Sequence, residues 1–360
     1  MGTENISCFF EGETIEDVQK VTEKYVKEGI RFAVDHSTEE AGTEKFWEEN
    51  CVSKIELVER CSKIEGVSFV PLKITALGSP HLLEEITELL YRDEFSLGGK
   101  EVGEDFEERV RRQLSGKQEK ELGELLWRVE RIVKAAVEKR VSILLDAEQT
   151  PRQLAIHWLS LLLISKYNSS PESPSLLYNT YQCYLKETPQ ILNAHLHYAQ
   201  KKGFLLGAKV VRGAYVDHEN LLASSLGRPS PLFPTKQATD EAYNESLHNS
   251  LSFVSQNCAS LVIGTHNELS VQLAVERMEE LKVRRDTPHV NFGTLFGMCD
   301  NLAFALAQGG YRPFKLIPYG KIDVVFPYLL RRLQENASML SGTRKERQLL
   351  LKEIQRRAKK

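Results

Sequence analysis

Long apolar runs and paired cysteines are both absent from this 360-residue sequence. No apolar run reaches the roughly 18 to 20 residues that a helix needs to cross a bilayer, and no signal peptide or arginine-rich presequence opens the chain. The six cysteines form no C-x-x-C pair and no Cys/His ligand spacing, which argues against a structural zinc site and a disulfide framework. We therefore expect a soluble chain with reduced thiols.

A strong charge of either sign is also missing. The formal net charge is -3 at pH 7, so nothing indicates a surface for nucleic acid or a polybasic membrane contact. There is no P-loop and no strand-associated G-x-G-x-x-G motif, which argues against an ordinary nucleotide-phosphate motif and a Rossmann dehydrogenase. No Ser/His/Asp or Cys/His arrangement indicates a hydrolase.

Short β-rich runs that alternate with longer amphipathic stretches are what the sequence does contain. Runs such as V-S-I-L-L at 141–145 are almost continuously apolar, as expected for parallel strands that are buried on both faces. Eight such runs predict a (β/α)8 barrel, with strands at residues 31–36, 68–75, 141–148, 177–184, 205–212, 261–266, 289–293 and 314–318. A doubly wound sheet is the alternative.

No internal repeat and no linker of domain size interrupts this pattern, so we predict a single domain over residues 1–360. Residues 93–139 form a segment that is dense in Glu, Lys and Arg. Within it, the apolar spacing at 122–132 predicts a helix whose charged face contacts solvent.

Polar residues close several of the predicted strands. Ligands of such a barrel bind at the carboxyl ends of the strands, so these side chains are expected to meet at one site. A single polar residue at a strand end is more often a cap or an ion-pair partner, but recurrence in successive strands favours a site. The residues are Lys73, Asp146, Glu148, Gln182, Lys209, Arg212, Thr265 and His266. The excess of cations favours an anionic ligand or cofactor.

Two other kinds of site are open from the same residues. A metal site formed by Asp146, Glu148 and His266 is one, but the neighbouring lysines and arginines compete for those carboxylates, so we predict no metal. A Schiff-base aldolase is the other, with Lys73 or Lys209 as the amine, because barrels often host that chemistry.

Two adjacent arginines, Arg331 and Arg332, lie on an otherwise apolar stretch at 328–336 that predicts a helix. A guanidinium is a planar fork that grips a carboxylate through two hydrogen bonds. Neighbouring residues differ by about 100° around a helix, so both side chains converge on a ligand only at the N-terminal end of the helix. The alternative is a helix face that contacts solvent.

Several separate motifs, in order and with compatible spacing, resemble those of the proline dehydrogenase family. They are L-D-A-E at 145–148, N-T-Y-Q-C-Y-L at 179–185, K-V-V-R-G-A-Y at 209–215, T-H-N-E at 265–268, L-F-G-M-C-D at 295–300, P-Y-G at 318–320 and Y-L-L-R-R at 328–332. The resemblance implies a distorted (β/α)8 TIM-like barrel with extra N-terminal helices, which binds FAD non-covalently. It also implies that a hydride leaves an imino acid, that electrons pass to a quinone, and that the protein resides in mitochondria, where peripheral membrane association is compatible with the family.

The resemblance also implies roles for individual residues. Asp146 and Lys209 match catalytic-site positions, and Lys209 stands where bacterial members have an arginine beside flavin N5, so the charge is kept and the bidentate fork is lost. The residues that match substrate-binding positions are Lys73, Tyr215, Leu295, Leu316, Tyr328, Arg331 and Arg332. Those that match the flavin cradle are Gln182, Lys209, Val211, Arg212, Gly213, Thr265 and His266. Glu335, one helical turn beyond Arg331, is expected to pair with it.

Leu316 departs from the pattern of the proline-oxidising members, which carry a tyrosine at this position. The hydroxyproline-oxidising branch has a smaller residue there, usually serine, and the stretch V-D-H-S-T-E-E at 34–40 is also closer to that branch. We therefore expect 4-hydroxy-L-proline as the substrate, oxidised to 1-pyrroline-3-hydroxy-5-carboxylate, ahead of L-proline. Because leucine offers no hydrogen bond to a 4-hydroxyl group, a merely repacked wall and a non-catalytic imino-acid-binding barrel are the alternatives.

The arginine pair can be tested by the substitution Arg331→Met. If Arg331 grips the substrate carboxylate, the loss of a charge-assisted contact worth roughly 1.5 to 3 kcal/mol raises KM by roughly ten- to a hundredfold. Steady-state kinetics with the imino acid measures this change. An unchanged KM excludes the proposed carboxylate clamp.

Overall fold

Eight parallel strands close into a barrel in sequence order, with β1 paired to β8. The structure is a computed structural model that describes residues 12–36, 42–92, 104–168, 173–322, 325 and 356. The strands are β1 (Arg31–His36), β2 (Val67–Leu72), β3 (Ser142–Leu145), β4 (Leu177–Gln182), β5 (Leu206–Val211), β6 (Ala259–Gly264), β7 (Val290–Leu295) and β8 (Pro313–Tyr319). Each predicted strand overlaps one of them, so the predicted barrel is confirmed and the doubly wound sheet is wrong.

Helices surround the barrel, and one of them precedes the first strand. They are α1 (Ile15–Val26), α2 (Glu44–Cys61), α3 (Pro80–Arg92), α4 (Glu104–Gln113), α5 (Gly116–Lys139), α6 (Thr150–Tyr167), α7 (Thr188–Lys202), α8 (Val216–Ser225), α9 (Lys236–Ser255), α10 (Glu268–Glu280) and α11 (Asp300–Gln308). A single turn of 3-10 helix, Ile74–Ala76, follows β2. The helix predicted at 122–132 lies within α5, whereas 93–103 of the charged segment lie outside the described residues.

Local sequence explains where the charged helix α5 begins and ends. The Ser115 hydroxyl accepts a hydrogen bond from the Gln118 backbone, and the Gln118 side chain accepts one from the Ser115 backbone at 2.7 Å. This capping box satisfies donors that the first helical turn leaves free. The helix ends at Arg140, whose left-handed backbone (φ 56°) turns the chain towards β3.

Side chains alternate between the two faces of the barrel wall, as strand geometry requires. Six side chains from six different strands pack against one another and fill the barrel interior: Ala33, Phe69, Leu144, Tyr178, Val262 and Phe314. Leu316 packs against this interior cluster. The residues next to these along the strands, such as Val70 and Ile143, point outwards and pack in the larger core under the helices. The alternation therefore determines which residue at each strand end faces the interior.

Among the described ranges, no helix is both long and apolar enough to cross a membrane.

Two glycines provide a matched test of packing in the barrel wall. A Cβ at Gly207, in β5, would lie 1.9 Å from the Leu177 carbonyl oxygen, whereas a Cβ at Gly123, on an exposed part of α5, meets nothing within 4 Å. We expect Gly207→Ala to lower the free energy of unfolding by about 1 to 3 kcal/mol through overpacking, and Gly123→Ala to raise it by up to about 1 kcal/mol through helix propensity. Chemical denaturation measures both changes. Equal stabilities for the two variants would contradict this description of the wall.

Candidate active site

Most of the predicted site residues lie at the carboxyl ends of strands on the side that faces the barrel interior. Asp146 lies two residues beyond the interior side chain Leu144, and Gln182 lies four beyond Tyr178. The same spacing places Lys73, Lys209, Val211, His266, Leu295 and Leu316 on the interior side of their strands. The structure therefore brings these eight residues to one end of the barrel. They lie above the six interior side chains described above, which form an apolar and aromatic floor.

An ion pair spans the mouth of the barrel, which is the opening at the carboxyl ends of the strands. Lys209 Nζ lies 2.6 Å from Asp146 Oδ1, and the two side chains are 15% and 24% exposed. The residues extend from β5 and β3, which are separated by β4, so contact requires both side chains to lean over the interior. The backbone N–H of Asp146 also donates to the Leu72 carbonyl at 2.9 Å, which fixes the carboxylate relative to β2.

Glu148 is buried and occupied by its neighbours. Its carboxylate accepts hydrogen bonds from the Thr75 backbone at 3.2 Å and the Thr75 hydroxyl at 2.7 Å, and Arg152 lies 3.6 Å away. Burial raises the pKa of this carboxyl, although the bonds from Thr75 and the charges of Lys73 and Arg152 oppose the rise. Glu148 therefore holds the turn after Lys73 in place. Within the described residues, no group of three or more His, Cys, Asp or Glu side chains could hold a metal ion.

Gln182 connects the loops that follow β3 and β5. Its amide nitrogen donates to the Glu148 carbonyl at 2.9 Å, and its amide oxygen accepts from the Ala214 backbone at 3.4 Å. Between these loops, Gly213 adopts φ 135°, and a Cβ there would lie 2.4 Å from the ring of Tyr184. Only glycine fits this backbone without strain, so the K-V-V-R-G-A-Y motif bends sharply here and packs closely against the Tyr184 ring.

Arg212 points away from the interior set, because it falls on the outward side of β5. Its Nε donates to Asp240 at 2.6 Å, and its two terminal nitrogens donate to Thr265 at 2.8 Å and Ser270 at 2.9 Å. The guanidinium also lies 4.2 Å from the ring centre of Tyr243. The expectation of one gathered group of cations is therefore only partly met: Lys73 and Lys209 face the interior, whereas Arg212 lies among β5, β6 and α9.

Asp240 is the carboxylate that pairs with Arg212. Burial raises its pKa, but hydrogen bonds from Lys236 at 2.5 Å and Arg212 at 2.6 Å, together with their charges, outweigh burial and keep the pKa below its ordinary value. The carboxylate therefore stays ionised at neutral pH, and Arg212 is held by charge as well as by geometry.

His266 accepts a hydrogen bond at Nε2 from the backbone N–H of Leu295, at 3.0 Å. Since Nε2 is an acceptor, the neutral imidazole carries its proton on Nδ1. Leu295 is the register partner of Leu316, so one short segment fixes the histidine tautomer and both leucines. Tyr215 lies at the N-terminal boundary of α8 and is partly buried.

Several predicted residues lie outside the described part of the chain. They are Tyr328, Arg331, Arg332 and Glu335. Buried charged residues that were not predicted also lie at this end of the described barrel. Among them are Glu219, which accepts hydrogen bonds from the backbone and hydroxyl of Thr150, and Lys315, which pairs with Asp300. Lys315 had a sequence signal, because a lysine within an apolar strand must find a partner when buried.

Comparison with known proteins decides the family. A family model described as proline dehydrogenase matches residues 18–345 of the chain. The chain belongs to the proline dehydrogenase family. The resemblance found in the motifs is thereby confirmed.

Relatives carry two different names. A protein of Drosophila melanogaster named mitochondrial proline dehydrogenase 1 is 41% identical over 253 residues, which cover 68% of this chain and 37% of that protein. A Bos taurus protein named hydroxyproline dehydrogenase is 36% identical over 368 residues, which cover 97% of this chain and 80% of that protein. The fold resembles the crystal structure of proline utilization A from Bdellovibrio bacteriovorus, a protein that had been inactivated by N-propargylglycine. The TM-score is 0.73 and the sequence identity is 22%. That match covers 92% of this chain and 32% of the longer one.

The residues present fit the flavin dinucleotide that the family implies. A diphosphate and an electron-accepting ring need cations and N–H donors, which Lys209, Arg212 and the partly buried backbone at Gly213 can supply. The side-chain oxygen of Gln149, directly after Glu148, is buried without a hydrogen-bond partner in the described part of the chain. It is suited to accept a hydrogen bond from a ligand N–H or hydroxyl group.

The ion pair at the barrel mouth can be measured with a double-mutant cycle. We expect Lys209→Met and Asp146→Asn to destabilise the protein less in combination than the sum of their separate effects, because either change alone leaves the other polar group without its partner. The coupling should be about 0.5 to 3 kcal/mol in the free energy of unfolding. The exposed pair Lys45 and Glu49, at 3.8 Å, is the control and should show no measurable coupling. Additive effects at 146 and 209 would mean that the pair is not formed in solution.

Proposed function

We propose that this protein is an FAD-dependent dehydrogenase that oxidises 4-hydroxy-L-proline to 1-pyrroline-3-hydroxy-5-carboxylate and passes the electrons to a quinone. The observation that carries the proposal is the pair of Lys209 and Asp146 across the mouth of the barrel, above an apolar and aromatic floor. Family membership supports the reaction class, and the name of the bovine relative supports the substrate.

Each group at the barrel mouth has a part in this reaction. Bound FAD supplies the hydride acceptor. Lys73 and Lys209 provide positive charge beside the substrate and the flavin edge, and Asp146 keeps the Lys209 ammonium in place. The guanidiniums of Arg331 and Arg332 bind the substrate carboxylate. Because the chemistry is a transfer between two rings, these side chains contribute mainly by positioning.

Two further sets of residues are proposed to hold the flavin and to enclose the substrate. Those proposed to bind the flavin are Gln182, Lys209, Val211, Arg212, Gly213, Thr265 and His266. Those proposed to line the substrate ring are Tyr215, Leu295, Leu316 and Tyr328. Leu295 and Leu316 are paired in register, which provides an apolar wall of two adjacent leucines. Such a wall excludes water from the ring that loses the hydride.

Leu316 is the residue on which substrate choice depends. Leucine takes less space than the tyrosine of the proline-oxidising pattern, and the space that remains can hold a 4-hydroxyl group. The same residue favours L-proline as the second candidate, because it packs against the apolar interior cluster and offers no hydrogen bond to that hydroxyl. The fly relative, named a proline dehydrogenase, supports this second candidate.

The cellular site is proposed from relatives. The names of the Drosophila melanogaster and Homo sapiens proline dehydrogenases include the word mitochondrial, and we propose the same compartment here. A quinone acceptor implies at least peripheral contact with a membrane, because quinones with long tails partition into lipid.

Flavin reduction by the two imino acids tests the function directly. Protein reconstituted with FAD is mixed anaerobically with 4-hydroxy-L-proline or with L-proline, and the flavin absorbance is followed. We expect bleaching by both compounds and faster bleaching by hydroxyproline. Protein that takes up no FAD would falsify the proposal, and ligand binding without bleaching would identify a non-catalytic binding barrel. Borohydride trapping of substrate on Lys73 or Lys209 would identify a Schiff-base enzyme instead.

Substitutions at Leu316 test how the substrate is selected. We expect Leu316→Tyr to refill the space beside the ring and to lower the ratio of kcat/KM for hydroxyproline to that for proline by about tenfold or more, the scale of steric selection in apolar pockets. Leu316→Ser is the matched variant and should raise the ratio, because its hydroxyl can bond to the substrate. A ratio that is the same in all three proteins would show that this wall does not select the substrate.

A further inference from the structure

Lys315 is a charged residue in the middle of the apolar strand β8, and its side chain is completely buried. Its neighbours Phe314 and Leu316 belong to the barrel interior, so Lys315 points to the opposite side, towards the surrounding helices. Moving a lysine out of water costs several kcal/mol unless partners compensate for the lost hydration. The groups that compensate for this cost therefore identify the part of the structure that Lys315 stabilises.

Within the described residues, the side-chain partners of Lys315 all belong to one segment, residues 294–300, which runs from the end of β7 to the first residue of α11. Its Nζ lies 2.6 Å from Asp300 Oδ1 and donates to the Met298 carbonyl at 2.9 Å. The Leu295 carbonyl follows at 3.4 Å and the Thr294 hydroxyl at 3.5 Å. The bonds to the two carbonyls and to the hydroxyl use the three donors of the ammonium group, and Asp300 adds the opposite charge.

The segment needs such support because its backbone is bent twice into the left-handed region. Gly297 has φ 73° and Cys299 has φ 52°, and the second is a conformation that is sterically unfavourable for a residue with a side chain. The turn itself contributes one backbone bond, from Met298 N–H to the Leu295 carbonyl at 3.2 Å. The ammonium of Lys315 binds that same carbonyl and the Met298 carbonyl, and so connects the two ends of the turn.

The segment 294–300 also contacts residues on the interior side of the barrel wall. The Leu295 N–H is the donor to His266 Nε2, at 3.0 Å, and the Phe296 N–H donates to the Leu316 carbonyl at 2.9 Å. The Cys299 thiol also approaches the His266 carbonyl at 3.8 Å. A chain of direct contacts thus leads from Lys315, through the segment, to the imidazole of His266 and to the paired leucines.

We infer that Lys315 is a positioning residue for the barrel mouth: it fixes segment 294–300, which sets the tautomer of His266 and the position of Leu295. The inference rests on the proposed function, since it gives the two residues their roles towards flavin and substrate. Lys315 itself contacts neither ligand. Its removal therefore acts on binding and alignment together.

The test uses Lys315→Met, which keeps length and burial but removes the charge and the donors. We expect the Kd for FAD, measured by titration of the FAD-free protein, and the KM for the imino acid each to rise by about tenfold or more, because small misplacements of positioned groups have effects of up to a hundredfold. We also expect 15N NMR of the imidazole to change from the Nδ1-H tautomer of His266 to a mixture. Asp300→Asn, which leaves the carbonyl contacts of Lys315, should give smaller changes in the same direction.

The control is Arg277→Met, at the opposite end of the barrel. Arg277 lies near the C-terminal end of α10, donates to Ser252 at 3.0 Å and pairs with Glu280 at 2.9 Å, so its loss affects stability but not the mouth. If Lys315→Met matches this control in FAD Kd, in KM and in the His266 spectrum, the inference is wrong. If Lys315→Met does not fold, unchanged values in Asp300→Asn overturn it.

Failure of the proposed function gives a different result. In that case the native protein itself binds no FAD, whereas the His266 spectrum still responds to Lys315→Met if the segment is held as inferred. The NMR measurement therefore tests the contact chain without any ligand, and the titrations test its consequence for binding.

Discussion

The structure depends on one geometric constraint, the two-residue alternation of side chains along strands that are closed into a barrel. Closure gives every strand an inside and an outside, and the inside is filled by six side chains from six strands. Because the floor is apolar and aromatic, the charged side chains that face the interior lie towards the strand ends, with Lys209 and Asp146 at one end and Arg31 at the other. The position of the site is therefore a result of how the core is packed.

Charge at the barrel mouth is divided between two groups by the same constraint. Lys209 is on the interior side of β5 and meets Asp146 across the opening, whereas Arg212, three residues later, is on the outer side and meets Asp240. Lys209 and Arg212 therefore meet different carboxylates, although Arg212 shares Asp240 with Lys236, so the second group keeps a net positive charge. In the proposed function, these separate groups of cations would bind the zwitterionic substrate and the diphosphate without competition.

Much of the fold could be predicted because its strands are nearly continuous apolar runs. The predicted strands at 68–75 and 141–148 were too long at their carboxyl ends, since β2 and β3 end at Leu72 and Leu145. Among the extra residues, Thr75, Asp146 and Glu148 bond to groups outside the sheet ladder rather than continue the strands. Arg212 was grouped with the interior residues, although its place relative to Ala208 and Val210 already assigned it to the outer side. The partners of Lys315 could not be predicted, because they come from a turn whose left-handed backbone no local pattern specifies.

Arg212 also connects elements that are far apart in sequence. Its three donors reach Asp240 in α9, Thr265 after β6 and Ser270 in α10, and its charged plane covers the Tyr243 ring. Two outer helices are thus anchored to the strand that carries Lys209. Substitutions on the solvent side of α9 should therefore be tolerated during evolution, except at Asp240. A change at Asp240 would disturb Arg212 and, through it, the end of the barrel where Lys209 lies.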